Sequence, residues 1–170
     1  MSSNNPIDVK NPIGKLLTKT SRLFALSGGL FLLGILFLTL ANVVGRRFGI
    51  PIPGDFEITE LGMAIAIFLF LPFCQIRKGN ISIDTFTKNL RPSIQSVLDA
   101  VGATAYALIS GLITWRLLFG GIDFFRFDDQ TMVLGIPRFI AFIPITISAL
   151  LLTLICIYTT WQNLILTDNE

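Results

Sequence analysis

The chain alternates long apolar runs with short polar connections. Residues 23–44 contain no charge, and at helical rise they cover about 33 Å, close to the roughly 30 Å of a bilayer's hydrocarbon core. Three further apolar runs occupy residues 58–76, 93–127 and 137–163, the third long enough to tilt. Tyr158 and Trp161 form an aromatic belt near the end of the fourth run. The pattern predicts an all-α membrane protein with four transmembrane helices in one domain over residues 1–170.

Two shorter segments have apolar and charged residues on opposite faces of a predicted helix. In residues 10–22, Pro12 suits a first helical position, and apolar residues at helical spacing lie opposite Lys15, Lys19 and Arg22. Residues 82–90 repeat the pattern on a smaller scale. Both segments are typical of amphipathic helices lying on the membrane surface, although a polar loop that carries leucines is an alternative.

Composition supports the membrane assignment. Of the 170 residues 52% are hydrophobic and 14% charged, whereas soluble domains carry about a quarter charged residues. The net charge of +2 is small and spread between apolar runs, so no nucleic-acid partner is expected. Cys74 and Cys156 lie in apolar runs, which predicts buried thiols and no disulfide. The chain has no histidine, which removes the usual haem ligand and commonest general base.

Lysine and arginine placement predicts the orientation. If both termini are cytoplasmic, the inner side carries more basic residues than the outer side, as the positive-inside rule requires. The inner set is Lys10, Lys15, Lys19, Arg22, Arg77, Lys78, Lys88 and Arg91, and the outer set is Arg46, Arg47, Arg116, Arg126 and Arg138. Arg116 is placed near the exit of the third helix. The sequence therefore predicts a multi-pass membrane protein with both termini cytoplasmic.

Small residues recur every four positions within the predicted spans. Ala103, Ala107 and Gly111 do so on the third helix, and shorter rows occur on the first two helices at Ala41, Gly45, Gly62 and Ala66. Such rows let another helix approach closely, because lipid offers no hydrophobic gain for packing. The rows predict helix contacts, either among the four helices or with another subunit.

Polar groups for chemistry or conduction are scarce at membrane depth. The charges lie at span ends, and mid-span positions hold little beyond Thr39, Thr104, Ser110 and Thr114. A carrier acting alone normally needs ionisable groups there, or paired broken helices in internal repeats. No catalytic residue, cofactor site or metal site is predicted. We expect the chain to support a partner instead of acting alone.

The connection between the first two helices, with the segments around it, resembles a known family. Asn42 precedes an Arg pair and a Gly/Pro-rich turn, "EITELG" opens the second helix, "IRKGNISID" follows it, and "TMVLGIPRFIAFIPITISALLL" enters the fourth. This order resembles the small membrane subunit of tripartite ATP-independent periplasmic (TRAP) transporters from about Leu23 to Trp161. The matching positions are Asn42, Arg46, Arg47, Glu57, Glu60, Arg77, Gly79, Ile81, Ile83, Asp84, Pro137 and Pro144. One departure is Asn80, where many members have His.

The resemblance implies a division of labour. A large multi-pass membrane subunit would hold the ion and substrate sites, with sodium as the expected ion. A periplasmic binding protein would deliver an organic acid such as a dicarboxylate or sialic acid. This chain would be the fixed scaffold in the bacterial inner membrane, in contact with the large subunit and membrane lipids.

The charges near the connections then have two interpretations. Arg46 and Arg47 could pair with Glu57 or Glu60, or contact the large subunit or the binding protein. Asp84 could cap the second surface helix or pair with Arg77 or Lys78 to hold it. Alternatively, span-end arginines such as Arg47 reach lipid phosphates, and carboxylates at a helix start favour its dipole.

Two other classes of function remain open from the sequence. A free-standing membrane scaffold or assembly protein would share every physical feature but would work without a large partner. A membrane enzyme or small channel would need a polar path, for which Thr104, Ser110 and Thr114 offer little material.

Overall fold

The computed structural model describes residues 12–77 and 92–167, and in these the chain forms long helices. They are α1 (Pro12–Arg47), α2 (Asp55–Ile76), α3 (Pro92–Arg126) and α4 (Phe139–Thr167). Each is long and apolar enough to cross a membrane. The predicted all-α architecture with four spans is confirmed. The helices α1, α2 and α4 extend beyond the predicted boundaries of their spans.

The helices form a row in the order α1, α2, α4, α3. The main contacts join α1 to α2, α2 to α4, and α3 to α4, so α2 and α4 are central and α1 and α3 lie at the edges. The largest apolar core joins Ile65 and Leu69 of α2 to Ala141 and Ile145 of α4. The two edge helices therefore keep broad apolar faces that no described part of the chain covers.

The predicted surface helix at residues 10–22 does not appear as a separate element. Residues 12–22 continue without a break into the first span as part of α1. No glycine or proline separates the two segments, and the Ser21 hydroxyl donates to the Thr18 carbonyl within the helix (3.0 Å) instead of capping a new one. With a length of about 54 Å, α1 exceeds the hydrocarbon core and must tilt or project from it. The second predicted surface helix, 82–90, lies outside the described residues.

A glycine-based cap ends α1. The amide of Gly49 donates to the Arg46 carbonyl (3.2 Å) and that of Ile50 to the Gly45 carbonyl (2.9 Å), which is the Schellman pattern. Gly49 has a φ of 77°, the left-handed conformation that this cap requires. The chain therefore turns sharply after α1 and is directed toward the start of α2.

Glycines also let α1 and α2 approach closely. A Cβ atom on Gly28 would lie 3.1 Å from Leu69 Cβ and 3.3 Å from the Ala66 carbonyl oxygen. A Cβ on Gly62 would lie 2.8 Å from Ile35 Cδ1. The small residues Gly62 and Ala66 thus pack helices of this chain on one another, one of the two roles predicted for such rows.

A polar contact joins α2 to α4 inside the membrane span. Pro72 has no amide hydrogen, so it cannot donate to the carbonyl of Phe68 four residues before it. The hydroxyl of Ser148, which is fully buried, donates to that carbonyl across the helix interface (2.6 Å). Ser148 therefore satisfies a backbone acceptor that would otherwise face hydrocarbon.

The two cysteines differ in their surroundings. Both are free thiols, and Cys156 is buried as predicted. The prediction that Cys74 is buried is wrong, because its position on α2 faces away from the neighbouring helices.

Candidate functional site

Asn42 organises the connection between α1 and α2. Its side chain is almost completely buried, its Oδ1 accepts the amide of Ile52 (2.8 Å), and its Nδ2 donates to Asp55 Oδ2. One amide side chain near the end of α1 therefore binds both the turn and the first residue of α2. The sequence indicated Asn42 only as part of a motif. That its side chain binds both the turn and α2 follows from the fold.

Arg46 joins the same cluster through Asp55. Its guanidinium lies 3.3 Å from Asp55 Oδ2, with the Arg46 side chain 63% exposed. The predicted partners were Glu57 and Glu60, and the structure corrects this: Asp55, which stands at the start of α2, turns back toward α1. Because the arginine is largely exposed, this pair contributes at most about 1 kcal/mol.

Glu57 binds the other connection of the chain, between α3 and α4. Its two carboxylate oxygens accept the consecutive amides of Val133 (2.8 Å) and Leu134 (3.0 Å). A carboxylate matches two adjacent amide donors well, and such charge-assisted bonds are the stronger kind. The Leu134 side chain also lies against Gly54, where any Cβ would overlap it. Glu57 therefore holds the second connection against the start of α2.

The α3–α4 connection has internal order of its own. Gln130 and Pro137 form an isolated antiparallel bridge, and Thr131 donates to the Ile136 carbonyl (3.0 Å) and accepts the Ile136 amide at its hydroxyl (3.0 Å). Arg138 and Asp129 approach within 3.7 Å at the base of this turn. The loop is thus a defined hairpin, which the sequence pattern of turn residues did not reveal.

The two connections together form one surface, which we call the connection platform (residues 48–54 and 127–138). Asn42 and Glu57 fix it to the helices. Several of its apolar side chains project outward, with Met132 95% exposed. The others of this kind are Phe48, Ile50, Phe127 and Val133. The platform therefore combines a fixed backbone with an apolar exposed surface at one end of the helix row.

The remaining predicted charges do not join this cluster. Glu60 is exposed and forms no ion pair among the described residues, and the same holds for Arg47. Arg77 caps the end of α2, with its guanidinium 5.3 Å from the Phe73 ring centroid. Asp84, its predicted partner, lies outside the described residues.

The small residues of α3 lie beside α4. Ala107 and Gly111 line a groove of about 730 Å³ between the two helices, and a Cβ on Gly111 would be 3.8 Å from Thr153 Cγ2. Ala103 is half-buried. The groove is otherwise lined by Thr104, Leu108, Leu112, Trp115, Thr153, Ile157, Thr160 and Trp161. Gly111 therefore borders both α4 and an open groove, so the row can serve helix packing and still leave space for another helix.

Two hydroxyl-bearing residues at membrane depth, Ser110 and Thr114, have hydrogen-bond partners within the chain. Thr114 donates to the Ser110 carbonyl (2.8 Å) and its oxygen lies 3.0 Å from that of Thr153 on α4. Within residues 12–77 and 92–167 no cluster of His, Cys, Asp or Glu that could hold a metal ion is found. The Thr114–Thr153 contact therefore joins α3 to α4.

A family model matches residues 35–165 of this chain, and its description is "Tripartite ATP-independent periplasmic transporters, DctQ component". The chain belongs to this family. The match covers all of the platform, α2 and α3, and nearly all of α4, so it includes each cluster described above. The comparisons with curated proteins and with solved structures return no match.

Family membership and the four apolar helices together identify the small membrane subunit of a TRAP transporter, a multi-pass inner-membrane protein. The resemblance inferred from the sequence is confirmed. Membership also implies association with a large membrane subunit and a periplasmic binding protein.

Proposed function

We propose that this chain scaffolds the large membrane subunit during ion-coupled uptake of an organic acid. The observation that carries the proposal is the locking of both connections at one end of the helix row, by Asn42 on one side and Glu57 on the other. A row of helices joined in this way resists changes in the angles between its members. Such resistance is what a fixed support needs while a mobile part of the partner moves.

The edge helices supply the contact surfaces for this role. α1 and α3 each pack on one main neighbour, and their remaining faces are apolar. The groove beside Ala107 and Gly111 offers a place where a partner helix approaches closely. We therefore assign this groove to the large subunit and the rest of the edge faces to membrane lipids.

The connection platform is assigned to the outer side of the membrane. Lys and Arg placement supports cytoplasmic termini, which puts both connections in the periplasm. There the apolar side chains of the platform and the exposed charge of Glu60 are available to the periplasmic binding protein or to the outer part of the large subunit. Arg77, at the opposite end, would face the cytoplasm and its lipid headgroups.

The cargo would be a carboxylate such as a dicarboxylate or sialic acid, with sodium as the coupling ion. Both expectations come from the family and not from residues of this chain. The recognising residues would belong to the large subunit and the binding protein, and this chain contributes no catalytic residue or cofactor to the proposed cycle.

Co-expression with the large subunit tests the proposal. We expect the two proteins to co-purify, and reconstituted vesicles supplied with the binding protein to take up a carboxylate in an ion-dependent manner. Purification of this chain as a stable monomer that never captures the large subunit would refute the scaffold role. Transport by this chain alone would refute it as well.

Matched substitutions locate the surfaces. Gly111→Leu should reduce capture of the large subunit by filling the groove, whereas Gly29→Leu, at a helical glycine with no neighbouring atom within 4 Å of a Cβ, should not. Glu60→Arg should weaken assembly or uptake. Normal co-purification together with normal uptake would remove Glu60 from the interface.

A further inference from the structure

Arg116 lies much deeper in the helix row than its place in the sequence suggests. The Phe125 and Phe139 rings contact each other edge to face, with centroids 5.2 Å apart, so the last turn of α3 is level with the first residue of α4. Arg116 precedes Phe125 by more than two helical turns, which places it about 13 Å further into the row. The apolar span of α3 runs from residue 101 to residue 126, so this depth is close to the middle of a hydrocarbon core of roughly 30 Å.

The packing around Arg116 gives the same depth independently. Leu117, the next residue, packs against the core that includes Leu69 of α2 and Ile145, which lies nearly two turns inside the start of α4. On the other side, Thr114 meets Thr153 of α4. The sequence pattern predicted a position for Arg116 near the exit of the third helix, and these contacts correct that placement.

Arg116 has no partner within the described part of the chain. Its side chain is exposed, on the face of α3 that does not pack on α4, and no ion pair or hydrogen bond to a described residue satisfies it. The nearest acidic residue on the same face, Asp123, is two helical turns away, about 10 Å along the axis. A guanidinium in this position would face lipid if the chain were alone.

An unpaired charge at this depth is costly and marks a functional contact. An arginine can lower the cost by extending to the headgroups, but Cα–Cβ bonds in a helix tilt toward its N-terminus. For Arg116 that direction leads away from the nearer end of the span, where α3 meets the connection platform. The helix geometry therefore makes it difficult for the Arg116 guanidinium to reach a lipid phosphate.

The groove between α3 and α4 adjoins this arginine. Trp115, the preceding residue, and Leu112, one turn earlier on the face of Arg116, both line the groove. A helix lying in the groove would pass next to the guanidinium. The groove and the charge of Arg116 therefore lie next to each other at the α3 edge of the helix row.

We propose that Arg116 pairs, within the bilayer, with a carboxylate on a transmembrane helix of the large subunit that occupies the α3–α4 groove. This rests on the proposed scaffold function and names one contact of it. A carboxylate accepts two parallel hydrogen bonds from the planar guanidinium and neutralises its charge. Water is not available at this depth to solvate the charge instead. The same pair would fix the depth and rotation of the partner helix.

Three variants of the full chain, co-expressed with the large subunit, test the pairing. Arg116→Leu should lower the recovered large subunit about tenfold or more, and Arg116→Glu should lower it further because two carboxylates would then face each other. Arg126→Leu, at the exposed end of the same helix, should leave recovery unchanged. Purified without its partner, the Arg116→Leu chain should be as thermally stable as the wild type or more so, because the charge has no partner there.

A photo-crosslinking residue at Ile113, one turn from Arg116 with the arginine retained, gives a direct readout. Crosslinks to the large subunit support the proposal, and adducts with lipid alone overturn it in favour of a lipid phosphate. Undiminished capture by both Arg116 variants, with normal capture by the wild type, overturns the pairing but leaves the scaffold role intact. A wild-type chain that captures no large subunit overturns both.

Discussion

Replacement of Ser148 by alanine tests whether a hydroxyl of α4 compensates for the proline in α2. The substitution removes the donor to the Phe68 carbonyl, which Pro72 cannot replace. In water such a carbonyl would be hydrated, but this one lies at the contact between two apolar helices. We therefore expect Ser148→Ala to destabilise the contact between α2 and α4.

The magnitude follows from measured interhelical hydrogen bonds in membranes. These average about 0.6 kcal/mol with a maximum of about 1.7 kcal/mol. Leaving a buried acceptor unsatisfied costs about 1–3 kcal/mol. The bond is short, at 2.6 Å, and Ser148 is fully buried. We expect a loss of about 1–2 kcal/mol in the free energy of unfolding.

The assay is equilibrium unfolding in mixed micelles, followed by the tryptophan fluorescence of the chain. Ser21→Ala is the matched control, because Ser21 is equally buried but donates to a carbonyl of its own helix (3.0 Å). It should cost less than about 0.5 kcal/mol. Pro72→Ala restores an amide donor to Phe68, so Ser148→Ala should cost less in that background. An equal cost of Ser148→Ala in both backgrounds would show that the hydroxyl does not serve the freed carbonyl.

Three further predictions concern the turns and the helix contacts. In the same unfolding assay, Gly54→Ala should destabilise the chain more than Gly49→Ala: both substitutions place a side chain at a positive φ, at a cost of about 1 kcal/mol, but only at Gly54 does the Cβ also overlap a neighbour. Equal losses would contradict this. Gly28→Leu should separate α1 from α2 and lower thermal stability, whereas Gly29→Leu should be tolerated because a Cβ at that position would have no neighbouring atom within 4 Å. Comparable losses in the two variants would rule out the close approach of α1 and α2. Glu57→Gln should speed amide hydrogen exchange in the α3–α4 hairpin several-fold, because a neutral amide offers one acceptor oxygen in place of two. Unchanged exchange would mean that the carboxylate does not hold the loop.

The sequence determined the number and approximate position of the helices. In lipid every backbone polar group must be hydrogen-bonded within the protein, and for uninterrupted apolar runs of this length the helix meets that requirement. It also indicated the family, through the order of charges and glycines around the connections. The start of the first helix was less clear, since the basic amphipathic pattern of residues 10–22 fits a surface helix as well as the first turns of a long α1.

Only the tertiary structure decided which polar groups meet. Asp55, not Glu57 or Glu60, binds Arg46, and Glu57 reaches two amides more than seventy residues away in the chain. Sequence spacing constrains neighbours within one helix, whereas partners across helices depend on register and rotation, which are set by side-chain packing. The depth of Arg116 was likewise decided by the tertiary structure, because it depends on the position of α3 along its axis relative to α4 and not on the apolar run of α3 alone.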